Sequence, residues 1–282
     1  MEKTKVFNVI VLDKSGSMVS IRQAAIDGVN ETISGIKVSQ TEFEQTQQHY
    51  ILLNAFCSHG IDTIYNNVSI NEAKTMTTED YEPSCCTPLY DAMGFTLTKL
   101  EERIKEIADC MVSVTVITDG YENASSQFSG QDIKKLIDCL KEKGWTFTYM
   151  GADHDVEKVA GELSFDRHIR FEHNEQSTRD VFEARKMDWQ SEALAMQELR
   201  IMEKQQMRRF SDEERKKYRL KRVEEELQKR QAMYNANKQE RKKAAQKDNS
   251  VKENQNTAAV KSNVTKQEPV KKKGFLNWLF SK

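Results

Sequence analysis

The sequence predicts an α/β fold: a doubly wound, mostly parallel sheet flanked by helices, then a long charged helical extension and a disordered tail. Three observations carry this. Apolar runs of strand length alternate with segments whose apolar residues recur at helical spacing, the pattern of a parallel sheet with crossover helices. Two of the runs, VFNVIVL (6–12) and MVSVTVIT (111–118), are nearly continuous, as strands covered on both faces are. Beyond about residue 176 the texture changes to helix formers dense in Glu, Lys, Arg and Gln.

The elements follow in order. The run at 6–12 is the first strand. Ile21, Ala25, Val29, Ile33 and Ile36 then mark a helix. YILLNAFC (50–57) and IDTIYNNVSI (61–70) are strands close enough to form a hairpin. After a polar stretch ending at Cys86, the residues Leu89, Ala92, Met93, Leu97, Leu100, Ile104 and Ile107 mark an amphipathic helix. Pro88 is expected at its first position, a place proline favours. The run at 111–118 is a strand that ends, like the first, in an acid. Ser129 and Asp132 resemble a capping box for a helix through Ile133, Leu136, Ile137 and Leu140 that stops at Gly144. WTFTYMGAD (145–153) and HIRFEH (168–173) are later strands, with a short helix near 155–163 between them.

The division predicted is 1–176 for the α/β domain, 177–247 for the helical extension, 248–270 for a polar, aperiodic linker, and 271–282 for a basic, amphipathic terminal segment. Ser177 with Asp180 reads as the capping box that opens the extension. Val181, Phe182, Trp189, Met196 and Leu199 give it one apolar stripe for docking on the domain. Val223, Leu227 and Tyr234 are too few for a coiled coil.

Charge divides the chain as sharply. Residues 1–183 hold 17 Lys+Arg against 30 Asp+Glu, a net −13, and the remaining 99 hold 26 against 14, a net +12. A solvated basic helix is the simplest source of the positive half; nucleic acid, anionic lipid or the acidic half are other partners for it. Interleaved acids (Glu213, Glu214, Glu224, Glu225, Glu226) and sparse aromatics weigh against nucleic acid. Five cysteines without regular spacing do not read as a disulfide framework. No secretory signal or membrane-spanning window is found, so the expectation is a cytoplasmic protein with reduced thiols, possible association with the inner membrane aside.

The chemistry concentrates in VIVLDKSGSM (9–18). Asp13, Ser15 and Ser17 stand at alternate positions on the loop leaving the first strand, and Gly16 allows a tight turn. Thr87 is held before Pro88 at a helix start, and Asp119 ends another strand. Ligands of open α/β sheets bind at such strand ends. The set offers two carboxylates and three hydroxyls, without nitrogen or sulfur. All-oxygen sets suit hard cations: Mg²⁺, with Mn²⁺ or Ca²⁺ as alternatives. With three hydroxyls bound directly and two carboxylates acting through water, one position of the Mg²⁺ shell would await an Asp or Glu from a protein partner.

DKSGSM resembles the D-x-S-x-S signature of von Willebrand factor type A domains and their metal-ion-dependent adhesion site. The Thr of CCTPLYDAM and the Asp of VITDGYEN are similar to that family's separate threonine and second aspartate. The resemblance covers roughly residues 4–175, most like small stand-alone bacterial proteins of the family, including those of tellurite-resistance and stress operons. It implies a Mg²⁺-dependent protein-binding face without catalysis. Where the family often has glycine before the threonine, this chain has Cys85 and Cys86. Cys57 and His59 can approach the same rim; zinc or redox roles are conceivable, but no zinc spacing is matched, and small-residue packing is the reading preferred. His154 and His168 read as ordinary edge histidines.

Phe275, Leu276, Trp278, Leu279 and Phe280 follow three lysines. This segment reads as a short helix on an anionic membrane, as a peptide for a partner's groove, or as a return onto its own domain. Two other function classes stay open: a Mg²⁺-dependent hydrolase or phosphoryl-transfer enzyme, disfavoured because no phosphate-binding loop or general base is seen, and nucleic-acid binding through the basic half.

Overall fold

The structure is a computed structural model. It describes residues 3–180 except 108, 153, 154 and 173, and then 182, 183, 185, 186, 189–191, 193, 194, 214, 217, 221 and 228. The expectations for the linker, the Phe275–Phe280 segment, His154, Val181, Met196 and Leu199 lie outside the described residues.

Six strands form one sheet in the order β3-β2-β1-β4-β5-β6. They are β1 (Thr4–Asp13), β2 (Gln47–Cys57), β3 (Gly60–Ser69), β4 (Cys110–Thr118), β5 (Thr146–Ala152) and β6 (Arg167–Phe171). Every pairing is parallel except β2 with β3, which form the expected hairpin as an antiparallel edge. Parallel strands need crossovers, and the helices supply them: α1 (Arg22–Glu42), α2 (Leu89–Ile104), α3 (Gly130–Glu142) and α4 (Val156–Glu162). After β1 the chain moves to one side of the sheet, to β2; later it moves to the other side, to β4. The crevice between the carboxyl ends of β1 and β4 is therefore the topological switch point, where ligands of such sheets bind.

Alternation along β1 divides the core. Ile10 and Leu12 face a cluster with Ile26, Val29 and Ile33 of α1. Val9 and Val11 face the opposite cluster with Leu97 of α2, Ile137 of α3 and Ala160 of α4. That double burial is why β1 reads as a near-continuous apolar run.

The ends of the helices sharpen the expectations and correct three. Ser129 and Asp132 close the predicted capping box on α3, and Gly144 follows at φ +85. Pro88 is not the first residue of α2 but its N-cap, and no side chain of its own caps the helix there. Loop groups do so instead, because the loop after β4 folds over the helix start: Tyr90 N donates to Glu122 Oε2 and Asp91 N to Ser125 Oγ. Ile107 lies beyond the end of α2. The segment after β6 is helical from 175, two residues before the predicted cap. Asn174 caps it, accepting from Ser177 N at 2.9 Å, while Ser177 Oγ turns back to accept from Glu172 N.

That segment docks on the domain as its apolar stripe requires. Phe182 and Trp189 join the α1-side cluster. Phe182 lies against Gly28 of α1 so closely that a Cβ there would sit 2.2 Å from its ring. Arg185 is fully buried between them in sequence, donating to Thr115 Oγ1 at 2.7 Å and to Ser113 Oγ. Its guanidinium also lies 4.3 Å from the Trp189 ring centroid. Ser113 and Thr115 are thus the polar positions of β4 that face this arginine, alternating with the valines of the opposite core.

Candidate metal centre

All five predicted oxygen-bearing residues meet at the switch point. β1 ends at Asp13, which is fully buried, and β4 ends one residue before Asp119. Beyond Asp13 the chain makes a 3-10 turn, Gly16–Ile21. Its geometry is fixed by the carboxylate: Ser15 N donates to Asp13 Oδ1 at 2.7 Å, and Thr118 Oγ1 donates to Asp13 Oδ2 at 2.6 Å. β1 and β4 are thereby tied together at their tips.

The hydroxyls follow from that turn. Ser15 Oγ and Ser17 Oγ are 3.1 Å apart, so the alternate serines do point the same way. Ser17 Oγ donates to Asp119 Oδ1 at 2.6 Å. A hydroxyl that gives its proton to a carboxylate keeps its lone pairs for another acceptor of electrons, such as a cation. Thr87 is 3% exposed, and Gly120 reports where its hydroxyl lies. A Cβ on Gly120 would be 3.9 Å from Ser17 Oγ and 4.0 Å from Thr87 Oγ1, so both oxygens border the space the glycine leaves open.

Thr87 does not cap α2. Its own N–H donates to Asn123 Oδ1 at 2.8 Å, and its carbonyl accepts from Asn123 N. Glu122 braces the same loop, accepting from Ala124 N, Ser125 N and Ser125 Oγ as well as Tyr90 N. Tyr81 supports the other side: its buried hydroxyl donates to the Asp13 carbonyl at 2.6 Å. Sequence reasoning missed Asn123, Glu122 and Tyr81. They lie in polar loops without a period, and only the ENAS run after Asp119 hinted at backbone-binding side chains.

Burial pushes the Asp13 carboxyl up to about 6, against the hydrogen bonds from Thr118 and Ser15 that pull it down; the nearby Asp119 adds to the rise. Two acids at one dry crevice repel each other, and a cation between them would relieve that cost. Three hydroxyls, two carboxylates and a glycine-lined opening fit a hard divalent cation.

The Cys85 region, read from the sequence as small-residue packing, has an unusual backbone. Cys85 has φ +68, the left-handed conformation that glycine usually supplies. Its Sγ lies beside His59, and Cys57 is close to both. All five cysteines are free thiols. No described helix is long and apolar enough to cross a membrane.

No family model matches the chain, and no curated protein does. Solved structures do. The manganese-loaded TRAP protein of Plasmodium vivax is 16% identical at TM-score 0.42, over 64% of this chain and 73% of that one. The VWA domain of SpRpn10 is 7% identical at TM-score 0.43, over 64% and 95%. Proximal thread matrix protein 1 of the mussel byssus, with a zinc-occupied MIDAS motif, is 10% identical at TM-score 0.43, over 64% and 44%. The chain thus spans under half the length of the byssus protein.

Proposed function

We propose that this chain is a metal-dependent protein-binding module of the von Willebrand factor type A kind, acting as an adaptor in a bacterial cytoplasm. Asp13, Ser15, Ser17, Thr87 and Asp119 would hold Mg²⁺, with Mn²⁺ or Ca²⁺ as alternatives. The ion would supply an electrophilic centre for the carboxylate of a partner's Asp or Glu. The observation that carries this reading is the meeting of three hydroxyls and two carboxylates, from three separate loops, at the switch point of the sheet. A set with only two anions leaves net positive charge on a divalent ion, which favours an outside anion as a further ligand.

The reading is one of binding without catalysis. In this reading both Asp13 and Asp119 are committed to the cation site, which leaves neither as a general base. The loops of the site also carry exposed apolar side chains, Val19 and Tyr121, each 58% exposed, as contact points for a partner.

The test is capture of partners from a lysate by the full chain with Mg²⁺, with EDTA, and as the Asp13→Ala variant. Proteins eluted by EDTA and absent from the variant are expected. Capture that persists under both conditions would overturn the proposal.

A further inference from the structure

A second cluster of ligating atoms stands on the rim of the same crevice, and it is of a different chemical kind. β2 ends at the buried Cys57, and the turn Ser58–His59 leads into β3 at Gly60. Opposite the turn, the loop before α2 brings in Cys85. Ligand atoms of Cys57, His59 and Cys85 all lie within 4.8 Å of one another. His59 Nδ1 is 3.0 Å from Cys85 Sγ, and Nε2 is 3.4 Å from it.

Two features show that the placement is built into the backbone. Cys85 sits at φ +68, where a non-glycine residue costs about 1 kcal/mol or more. The strand of chain that carries it is pinned from both sides. Cys85 O accepts from Gly16 N at 3.0 Å, Lys14 O accepts from Ser84 N at 2.8 Å, and Cys86 O accepts from Ser58 N at 3.1 Å. The strained residue is thus locked so that its sulfur meets the hairpin turn. Cys57 is buried, Cys85 half-buried and His59 exposed, so the cluster has a closed floor and an open mouth.

We propose that Cys57 Sγ, Cys85 Sγ and a ring nitrogen of His59 form a second metal site, for Zn²⁺, with a water or an outside group as fourth ligand. Two thiolates and an imidazole are a zinc donor set, and three protein ligands with an open fourth place are one of its standard forms. Zn–S bonds of about 2.3 Å and Zn–N bonds of about 2.0 Å separate tetrahedral ligands by about 3.5–3.8 Å. The spread in this cluster, from 3.0 Å to within 4.8 Å, brackets that spacing. On binding, each thiol would release its proton to solvent and His59 would bind as the neutral ring, so affinity falls as pH falls. The site stands independently of the oxygen-lined one: neither shares a ligand with the other. Sequence spacing hides it, because C-x-H of the turn is completed from a loop 26 residues further along.

The test uses the full chain, reduced and stripped of metal, titrated with Zn²⁺ against a chromogenic chelator, and with Co²⁺ for its thiolate charge-transfer absorption. The Asp13→Ala variant removes the oxygen-lined site from the count. In that background one Zn²⁺ per chain and a Co²⁺–thiolate band are expected. Adding Cys85→Ser or His59→Ala is expected to weaken zinc about 100-fold or more, while Cys86→Ser leaves it unchanged. His59 is exposed, so its replacement tests the site without disturbing the core. Loss of all zinc binding in Asp13→Ala alone would overturn the proposal, as would zinc affinity in the Cys85→Ser or His59→Ala variants equal to that of their Asp13→Ala parent. So would a Cys57–Cys85 disulfide that forms in air with no zinc bound after its reduction. Hard-cation binding that survives in Cys85→Ser keeps the two sites distinct whatever the zinc result.

Discussion

Asn123 decides where Thr87 sits, holding it by two hydrogen bonds through side chain and backbone. Removing such a supporting group typically lowers metal affinity about 10- to 100-fold. Asn123→Ala is therefore expected to weaken Mn²⁺ binding by that factor with an unchanged far-ultraviolet dichroism spectrum. A second residue sets a pH limit. His49 Nε2 is 2.9 Å from Gln47 Oε1, while its Nδ1 is buried with no hydrogen-bond partner among the described residues. Burial lowers its pKa from 6.5 to about 4. The unfolded chain takes up this proton as pH falls through 6.5, and the folded chain only near 4. The stabilisation is thus complete above pH 6.5 and lost between 6.5 and 4, by up to about 3 kcal/mol. Urea midpoints at about pH 7.5 and pH 5 should converge in His49→Gln relative to wild type; equal pH dependence in the two proteins would contradict this. At this scale the meeting of the five oxygen-bearing residues was legible: Asp13 and Asp119 follow apolar runs, Ser15 and Ser17 alternate after Asp13, and Thr87 precedes a proline. Asn123 and Glu122 were not, because loop-to-loop contacts leave no period in the sequence; the approach of Cys57 and His59 to the Cys85 rim was readable, but no zinc spacing marked it.

Gly28 and Gly35 of α1 are a flat track for the helical segment after β6. A Cβ would meet Phe182 at 2.2 Å from Gly28, and Lys186 at 2.7 Å from Gly35. The Phe182 contact is at the root of a buried ring and cannot swing clear. Gly28→Ala is expected to destabilise the fold by about 1–3 kcal/mol, read as a lower urea midpoint with unchanged slope. Gly35→Ala is expected to cost less, since a lysine stem can move aside. The elements themselves were largely legible: six strands and four crossover helices follow the apolar periodicity, and the Ser129–Asp132 capping box was readable directly. The start of α2 was misplaced because its first N–H groups are capped from the loop after β4, a long-range contact. The start of the last segment was misplaced because Asn174 outcompetes Ser177 as a cap. Arg185 was hidden in a charged run, although the alternation of Ser113 and Thr115 with valines on β4 is the trace it leaves.

The order β3-β2-β1-β4-β5-β6 puts Asp13 and Asp119 on neighbouring tips, so the site is a product of topology as much as of motif. The described residues between 175 and 194 belong to that same packed body: Phe182, Arg185 and Trp189 cover the α1 side of the sheet, and Gln47 donates to the Ala193 carbonyl at 2.6 Å. A chain ending at residue 174 is therefore expected to unfold at lower temperature or aggregate, and an unchanged melting temperature would contradict this. Cation binding by the intact molecule is the central claim. It is tested most directly by calorimetric titration of the metal-free full chain with Mn²⁺, comparing wild type with Asp13→Ala and Thr87→Ala in which Cys85 is also serine. One site in the otherwise intact chain, lost in both variants, is the predicted result; equal Mn²⁺ binding in all three would contradict it.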